Sequence, residues 1–446
     1  MESVLIAVGA MVPMLLILVV VHELGHFATA RSLGVKVLEF GVGFPPRAFG
    51  FYTGRTRVLI SPDTRFVNLD GEASLRTGQL VKVISSEDTE GNLVAQVIEG
   101  PRPRRGLTGR LPGKGEPRED FGRDDWLKHD GKVRAVEDGS FVLADMLFSV
   151  NWTLLGGFVR LAGESNPDVP RSLASKGVGT RFLVLVAGPL MNAILPIVFF
   201  TVLLMLPQDV LVGRLMVGEV SPGSPAQEAG VKAGDAILQA NGHKIENSGD
   251  LIRAINLNGG STMEWLVDRG GGQQIITVTP RFDQDAGRWL VGILTEMVGA
   301  HTERRSNPPW VALRDSFVNT WELLVLVKQG MSGAFSQGSA PQLSGPIGIA
   351  QIAGEFTREG GLAGWLTITI LLSINLAILN ILPIPMLDGG RLVFVMLEWV
   401  RRGKRVPPER EGMVHLIGFA VLIGLIVLIS ANDVLRLIDG RSFLGG

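Results

Sequence analysis

From Val4 to Val21 the chain carries no charged or polar side chain, and the first ionisable groups to follow are His22 and Glu23. A run this long and apolar reads as a membrane-spanning helix. The segment Val21-His22-Glu23-Leu24-Gly25-His26 is therefore written into the end of a span. On a helix, residues four apart share a face, so both imidazoles can reach one metal ion. Glu23 stands beside them, where a carboxylate can take a proton from water. Ionisable side chains at bilayer depth are costly and mark functional sites by default, which argues against two incidental surface histidines. A catalytic zinc site takes three protein ligands, so one more must come from elsewhere.

Composition limits what that ligand can be. The chain has no cysteine, which excludes disulfides and thiolate ligands and leaves histidine and carboxylate. Of the six histidines, at 22, 26, 129, 243, 301 and 415, only the first two have ligand spacing. A formal net charge of −1 argues against nucleic acid as a partner. The 446 residues predict more than one domain. The N-terminal run is expected to be retained rather than cleaved, because Glu2 stands where a signal peptide would carry basic residues.

In chain order, residues 1–50 hold the first span, with Pro13 inside it, and a Gly/Pro-rich segment Phe40–Pro46 that reads as a loop or irregular strand. Residues 51–145 form a charged insert with a hairpin predicted at Leu80–Ile98, turning at Glu90-Gly91-Asn92. Its Arg102, Arg104, Arg105, Arg110 and Lys114 suit either anionic lipid headgroups or a solvated loop, the loop being the simpler reading. Residues 146–207 combine the strand-like Gly156-Gly157-Phe158-Val159-Arg160 with a second span, Phe182–Leu206. That strand is either an edge to which an extended peptide adds or an ordinary hairpin. Asn192 in the second span reads as interhelical packing or a site neighbour, packing being the simpler.

Residues 213–283 follow the order of a PDZ domain: Ser224-Pro225-Ala226, the Ala233-Gly234-Asp235 turn, Asn241-Gly242, a helix at Ser248–Leu257 and a closing strand at Ile275–Val278. PDZ domains bind peptide ends by strand addition. Within residues 300–360 the segment Trp310–Met331 predicts an amphipathic interfacial helix. Residues 361–446 hold a third span, Leu362–Pro385, and a fourth, Met413–Ser430. The third is broken by Pro383 and Pro385 just before Asp388. Irregular backbone at membrane depth is tolerated where it lines a cavity, and a buried carboxylate is affordable on a metal. Asp388 is thus the expected third ligand.

Basic residues flank the spans asymmetrically: Arg31, Lys36 and Arg47; Arg171, Lys176 and Arg181; Arg391, Arg401, Arg402, Lys404 and Arg405. The positive-inside rule makes these flanks cytoplasmic and puts the PDZ domain outside. The fold class expected is a polytopic α-helical membrane protein with about four transmembrane helices, a membrane-associated β hairpin or sheet, and one extracytoplasmic PDZ domain.

With these pieces placed, the chain resembles the site-2 protease family of intramembrane zinc metalloproteases, most of all the bacterial regulator-of-sigma-E type. The resemblance rests on His22–His26, Gly156–Arg160, Ala187-Gly188-Pro189, the PDZ order and Asn380–Gly390. It covers most of the chain apart from the insert. It implies Zn2+ held by His22, His26 and Asp388, Glu23 as general base, Asn380 as a further catalytic group near the substrate carbonyl, and Gly156, Gly157, Phe158, Val159 and Arg160 as a substrate-binding strand. It also implies a bacterial cytoplasmic membrane protein cleaving single-span substrates, such as an anti-sigma factor or a remnant signal peptide, with membrane lipid and peptide ends as partners. Two departures are the insert and the single PDZ domain, where the best-studied bacterial relative has two. A catalytically idle PDZ-bearing scaffold is the rival reading, disfavoured by the intact Glu23. A transporter is disfavoured because no chain of charges crosses the spans.

Overall fold

The computed structural model describes residues 2–101, 124–283, 288–336 and 345–438. The basic stretch from Arg102 to Lys114 lies outside the described residues. The chain divides into two compact units, one of Met1–Leu195, Gly345–Glu359 and Leu371–Gly446, the other of Pro196–Ser344 and Gly360–Ile370.

The first unit opens with helix α1 (Glu2–Ser32), which ends in Arg31, a cation at the negative end of the helix dipole. Strand β1 (Val37–Thr53) follows and runs through the Gly/Pro segment. The insert is a closed five-stranded barrel of β2 (Thr56–Val67), β3 (Leu80–Glu87), β4 (Leu93–Glu99), β5 (Leu127–Glu137) and β6 (Ser140–Ala144). Its strand order is β2-β4-β3-β5-β6, with β2 and β4 parallel and the other pairs antiparallel. Alternation along β3 and β5 puts Val81, Val83 and Val133 inside with Phe141 and Leu143.

Strand β7 (Met146–Leu161) returns from the barrel to β1. Both strands are long enough to fold back on themselves. Glu39–Val42 of β1 pairs with Leu147–Val150 on one side and with Gly157–Arg160 on the other. Gly156, at φ 102, allows the reversal that sets up this second pairing. Among the described residues no further strand pairs with Gly157–Leu161, so that stretch is a sheet edge. Helix α2 (Val178–Met205) then begins in this unit.

The second unit takes the end of α2 and a six-stranded sheet of β8 (Gln208–Val220), β9 (Ala236–Ala240), β10 (His243–Lys244), β11 (Met263–Arg269), β12 (Gly272–Val278) and β15 (Ile293–Arg305), with helices α3 (Pro225–Glu228) and α4 (Ser248–Leu257). A separate pair, β13 (Arg281–Asp283) and β14 (Arg288–Leu290), stands between β12 and β15. The core is built on Trp265, Leu215, Ile237 and Met263, all inaccessible to solvent. This sheet does not end at residue 283. β15 returns antiparallel beside β8 as its outer strand. As a mostly exposed edge it lacks the apolar alternation that marks the inner strands. Helix α5 (Pro309–Ser336) follows, with Trp310, Leu313, Phe317 and Trp321 on an exposed apolar face.

Helix α6 (Pro346–Ile381) kinks at Gly361 and returns the chain to the first unit. Helices α7 (Asp388–Val400) and α8 (Pro408–Ile438) complete it. Among the described residues four helices are long and apolar enough to cross a membrane: Leu5–Ser32, Val178–Met205, Pro346–Ile381 and Pro408–Arg436.

Candidate metal centre

His22 and His26 stand one turn apart on α1. Their Nε2 atoms are 3.2 Å apart, and Asp388 Oδ2 lies 3.0 Å from the first and 3.2 Å from the second. Ligands about 2.0–2.1 Å from a tetrahedral zinc stand about 3.3 Å from one another, so this donor triangle fits the ion. The donor chemistry, two imidazoles and a carboxylate, is that of catalytic zinc sites.

Helix α2 backs the centre with one stripe, Val184, Gly188 and Asn192, spaced four apart. The Val184 carbonyl accepts a hydrogen bond from His26 Nδ1 at 2.7 Å. That contact protonates Nδ1 and leaves the Nε2 lone pair for a metal. A Cβ on Gly188 would lie 2.3 Å from His26 Nε2 and 2.7 Å from His22 Nε2, so only glycine leaves room for the ligand atoms. The buried amide of Asn192 is 3.3 Å from His22 Nδ1. Gly25 plays the complementary part on α1, where a Cβ would meet the Ala187 carbonyl oxygen at 2.3 Å. The two helices therefore cross at glycine contacts, the close approach that small residues permit.

Asp388 arrives by a different route. Helix α6 stops at Ile381, the chain turns through Pro383 and Pro385, and Asp388 opens α7, where its charge faces the positive end of the helix dipole. The two glycines that follow are sterically required. A Cβ on Gly389 would lie 2.0 Å from the Leu382 carbonyl oxygen, and one on Gly390 2.4 Å from that of Ile384. Met386 takes a positive φ of 77°, and its N–H donates to His415 Nδ1 of α8 at 2.9 Å.

A cavity of about 240 Å³ opens at the centre, walled by Glu23, His26 and Asp388 on one side and by Phe158, Val159 and Leu161 of the β7 edge on the other. Glu23 and the Val159 backbone meet in this cavity.

Residues 10–72 and 139–425 match the model of peptidase family M50. This chain belongs to peptidase family M50. The M50 match includes both histidines and Asp388 and leaves out most of the barrel. The chain is 30% identical over 429 residues to a zinc metalloprotease RasP of Geobacillus kaustophilus, covering 94% of this chain and 95% of that one. It is 31% identical over 428 residues to the regulator of sigma-W protease RasP of Bacillus subtilis, covering 94% and 96%. Among solved structures it is similar to the PDZ domain of an SdrC-like protein from Listeria monocytogenes, at 23% identity and a TM-score of 0.17, over 18% of this chain and 85% of that one. The protein is a zinc metalloprotease.

Within this M50 peptidase the residues singled out in the sequence do not all converge. His22, His26 and Asp388 converge on one another, and Glu23, His26 and Asp388 line one cavity together with Phe158 and Val159. Gly157 lies close by, where a Cβ would be 3.7 Å from the Glu23 side chain, whereas Arg160 pairs with Glu39 at 3.4 Å. Asn380 is buried in the last turn of α6 and is not part of the cavity wall. The residues that hold the ligands from behind carried little signal. Val184 acts through its backbone, and His415 had no ligand spacing. Asn192 had read as packing, though a lone amide inside an apolar span was the available signal.

A second buried polar cluster fastens the barrel to the strands beside it within the first unit. Asp145, between β6 and β7, accepts from Thr56 at 2.8 Å, is 2.7 Å from His129 Nδ1 and 2.5 Å from Lys36 Nζ. Ser85 lies 3.0 Å from the other nitrogen of His129. Burial pushes the Asp145 carboxyl up, but the His129 hydrogen bond and the Lys36 charge outweigh it and hold the group below the usual carboxylate range. The Ser-His-Asp arrangement is sealed from solvent, with Ser85, His129 and Asp145 all buried, so it serves as a fastening rather than a site.

Proposed function

We propose that this M50 peptidase cleaves the transmembrane segments of single-span membrane proteins, with His22, His26 and Asp388 holding zinc and Glu23 as general base. The observation that carries this reading is the edge stretch Gly157–Leu161, whose Phe158, Val159 and Leu161 line the same cavity as Glu23, His26 and Asp388. A substrate helix hides its carbonyls in its own hydrogen bonds, so cleavage requires an unwound stretch. An unpaired strand edge offers that stretch replacement backbone partners.

When bound, zinc supplies Lewis-acid activation of water and of the facing carbonyl. The chain's own residues do the rest. Glu23, on the cavity wall beside Val159, takes the proton of the attacking water and passes it to the leaving nitrogen. Val184 fixes His26, and the α2 stripe excludes competing side chains from the ligand face. Phe158, Val159 and Leu161 give the cavity apolar walls suited to an aliphatic or aromatic substrate side chain. Asn380 joins this mechanism as a carbonyl donor if substrate draws the end of α6 toward the cavity.

The basic flanks of the spans support a site near the cytoplasmic face of a bacterial plasma membrane, with the β8–β15 domain outside as a PDZ-type screen of substrate ends. The name of the B. subtilis relative, regulator of sigma-W protease, supports a substrate that acts in sigma-factor regulation, and an anti-sigma factor would be of that kind.

The decisive test is cleavage of a single-span reporter by purified protein in detergent, beside Glu23→Gln and Asp388→Ala. Glu23→Gln should retain zinc and lose cleavage, and Asp388→Ala should lose both. Full activity in Glu23→Gln, or unchanged zinc stoichiometry in Asp388→Ala, would overturn the assignment. Zinc bound without cleavage of any reporter would favour the scaffold reading.

A further inference from the structure

Asn192 is wholly buried in α2, and its amide nitrogen Nδ2 makes a single side-chain contact, 3.3 Å to His22 Nδ1. The amide oxygen Oδ1 has no protein partner. A buried amide with half its hydrogen-bonding capacity unused costs stability. Leucine would pack an apolar helix crossing at no such cost. The residue is therefore poor packing material, and its one contact is what it provides.

The direction of that contact follows from imidazole chemistry. If His22 is to offer Nε2 to a metal, the proton of the neutral ring must be on Nδ1, which then donates. The amide atom facing it must then be the oxygen, and the two ends of an amide are exchanged by a half-turn about χ2. We propose that Asn192 is the positioning residue of His22: its amide oxygen accepts the Nδ1–H, fixes the tautomer and aims Nε2 at the metal. It is the counterpart of the Val184 carbonyl on His26, two turns away on the same stripe of α2. Ser373 of α6 donates to the Asn192 backbone carbonyl at 2.7 Å, so the segment that presents the amide is itself held by a third helix. The proposal rests on the reading of His22 as a zinc ligand.

The test measures zinc affinity of the full-length protein in detergent by chelator competition, together with the visible spectrum of its cobalt-substituted form. The variants are Asn192→Leu, Asn192→Asp and His22→Ala. Loss of such an outer partner typically weakens metal binding about 10–100-fold, and that is the expectation for Asn192→Leu, with an altered cobalt spectrum. Asn192→Asp keeps an acceptor at the same place and should bind zinc within a few-fold of the wild type. A packing role predicts the reverse order, because leucine fills the space and a buried carboxylate does not belong there. Leu equal to wild type, or Asp as weak as Leu, overturns the proposal. His22→Ala separates the two failures. If it too binds zinc normally, the ligand reading is wrong. If it loses zinc while Asn192→Leu does not, only the positioning role is.

Discussion

Gly188 lies so close to His26 that a Cβ there would be 2.3 Å from the ligand nitrogen Nε2. The smallest substitution in the chemistry-free part of α2 should therefore act on the metal. In Gly188→Ala either the imidazoles rotate away or α2 withdraws, and withdrawal also pulls the Val184 carbonyl off His26. A displacement near 1 Å at a catalytic centre can cost about 10²-fold in rate, and a loss of that order in kcat/KM is expected, with weakened zinc binding. Gly25→Ala should act similarly through the Ala187 carbonyl at 2.3 Å. By contrast Gly177→Ala, where a Cβ meets nothing within 4 Å, should leave zinc content and turnover as they are. Equal behaviour of the three variants would refute the steric argument.

Helix α7 carries Asp388 at one end and Glu398 near the other. Glu398 is buried and takes a 2.6 Å hydrogen bond from Arg181 at the start of α2, with Arg405 at 3.3 Å. This pair ties the helix of the third ligand to the helix that backs the two histidines. Removing Arg181 leaves buried Glu398 only the longer contact to partly exposed Arg405, so the cost should approach but fall short of the about 3–5 kcal/mol of a fully uncompensated buried charge. Arg181→Met should lower thermal stability and loosen zinc more than Arg181→Lys, which preserves the charge without the planar fork. The measurement is melting temperature with and without added zinc. If Arg181→Met melts like wild type in both conditions, the pair does not position α7.

The elements that could be read from residue types alone were those whose chemistry is local. The apolar runs marked the long apolar helices, the i, i+4 histidines marked two members of the three-residue cluster, and the prolines before Asp388 marked broken helix. What was hidden depends on backbone and tertiary contact. Val184 contributes a carbonyl that every residue has. His415 acts by accepting one N–H from a strained Met386. β15 is an exposed edge without apolar alternation. The doubling of β1 against two parts of β7 is a matter of register, which a pattern of alternation cannot specify when both faces are partly exposed.

The Asp145 cluster gives a pH dependence. Its carboxyl titrates below the usual carboxylate range in the fold, whereas in the unfolded chain it would titrate near about 3.9. Its contribution is therefore complete above about 3.9 and is lost as pH falls through the lower folded value. Hydrogen exchange in detergent, corrected for intrinsic rates, should show β2 and the β6–β7 junction losing protection only in that acid range. In Asp145→Asn the ion pair to Lys36 is absent at every pH, so protection there should already be low at neutrality and change little in acid. A wild-type junction whose protection does not fall at any point of the acid titration, or a variant with wild-type protection, would remove the cluster from the account of how the barrel is fastened.

Arg391, in the first turn of α7, donates to Glu164 just beyond β7 at 2.9 Å, and both residues belong to the cavity wall. The pair bridges the helix of the third ligand and the end of the edge strand, so it closes one side of the approach to the metal. Both side chains remain partly exposed, and a pair of that kind contributes about 0.2–1 kcal/mol. Breaking it should leave the fold and zinc content intact. It should remove a barrier of the same size for a substrate that arrives already extended. Arg391→Ala and Glu164→Gln are therefore both expected to raise kcat/KM for a short unstructured peptide by roughly 1.5–5-fold, the equivalent of that energy. Agreement between the two variants is the informative result, because it ties the effect to the bridge. A fall in kcat/KM confined to Arg391→Ala would mean instead that the guanidinium binds substrate directly, with an acidic side chain or carbonyl of the peptide as its partner.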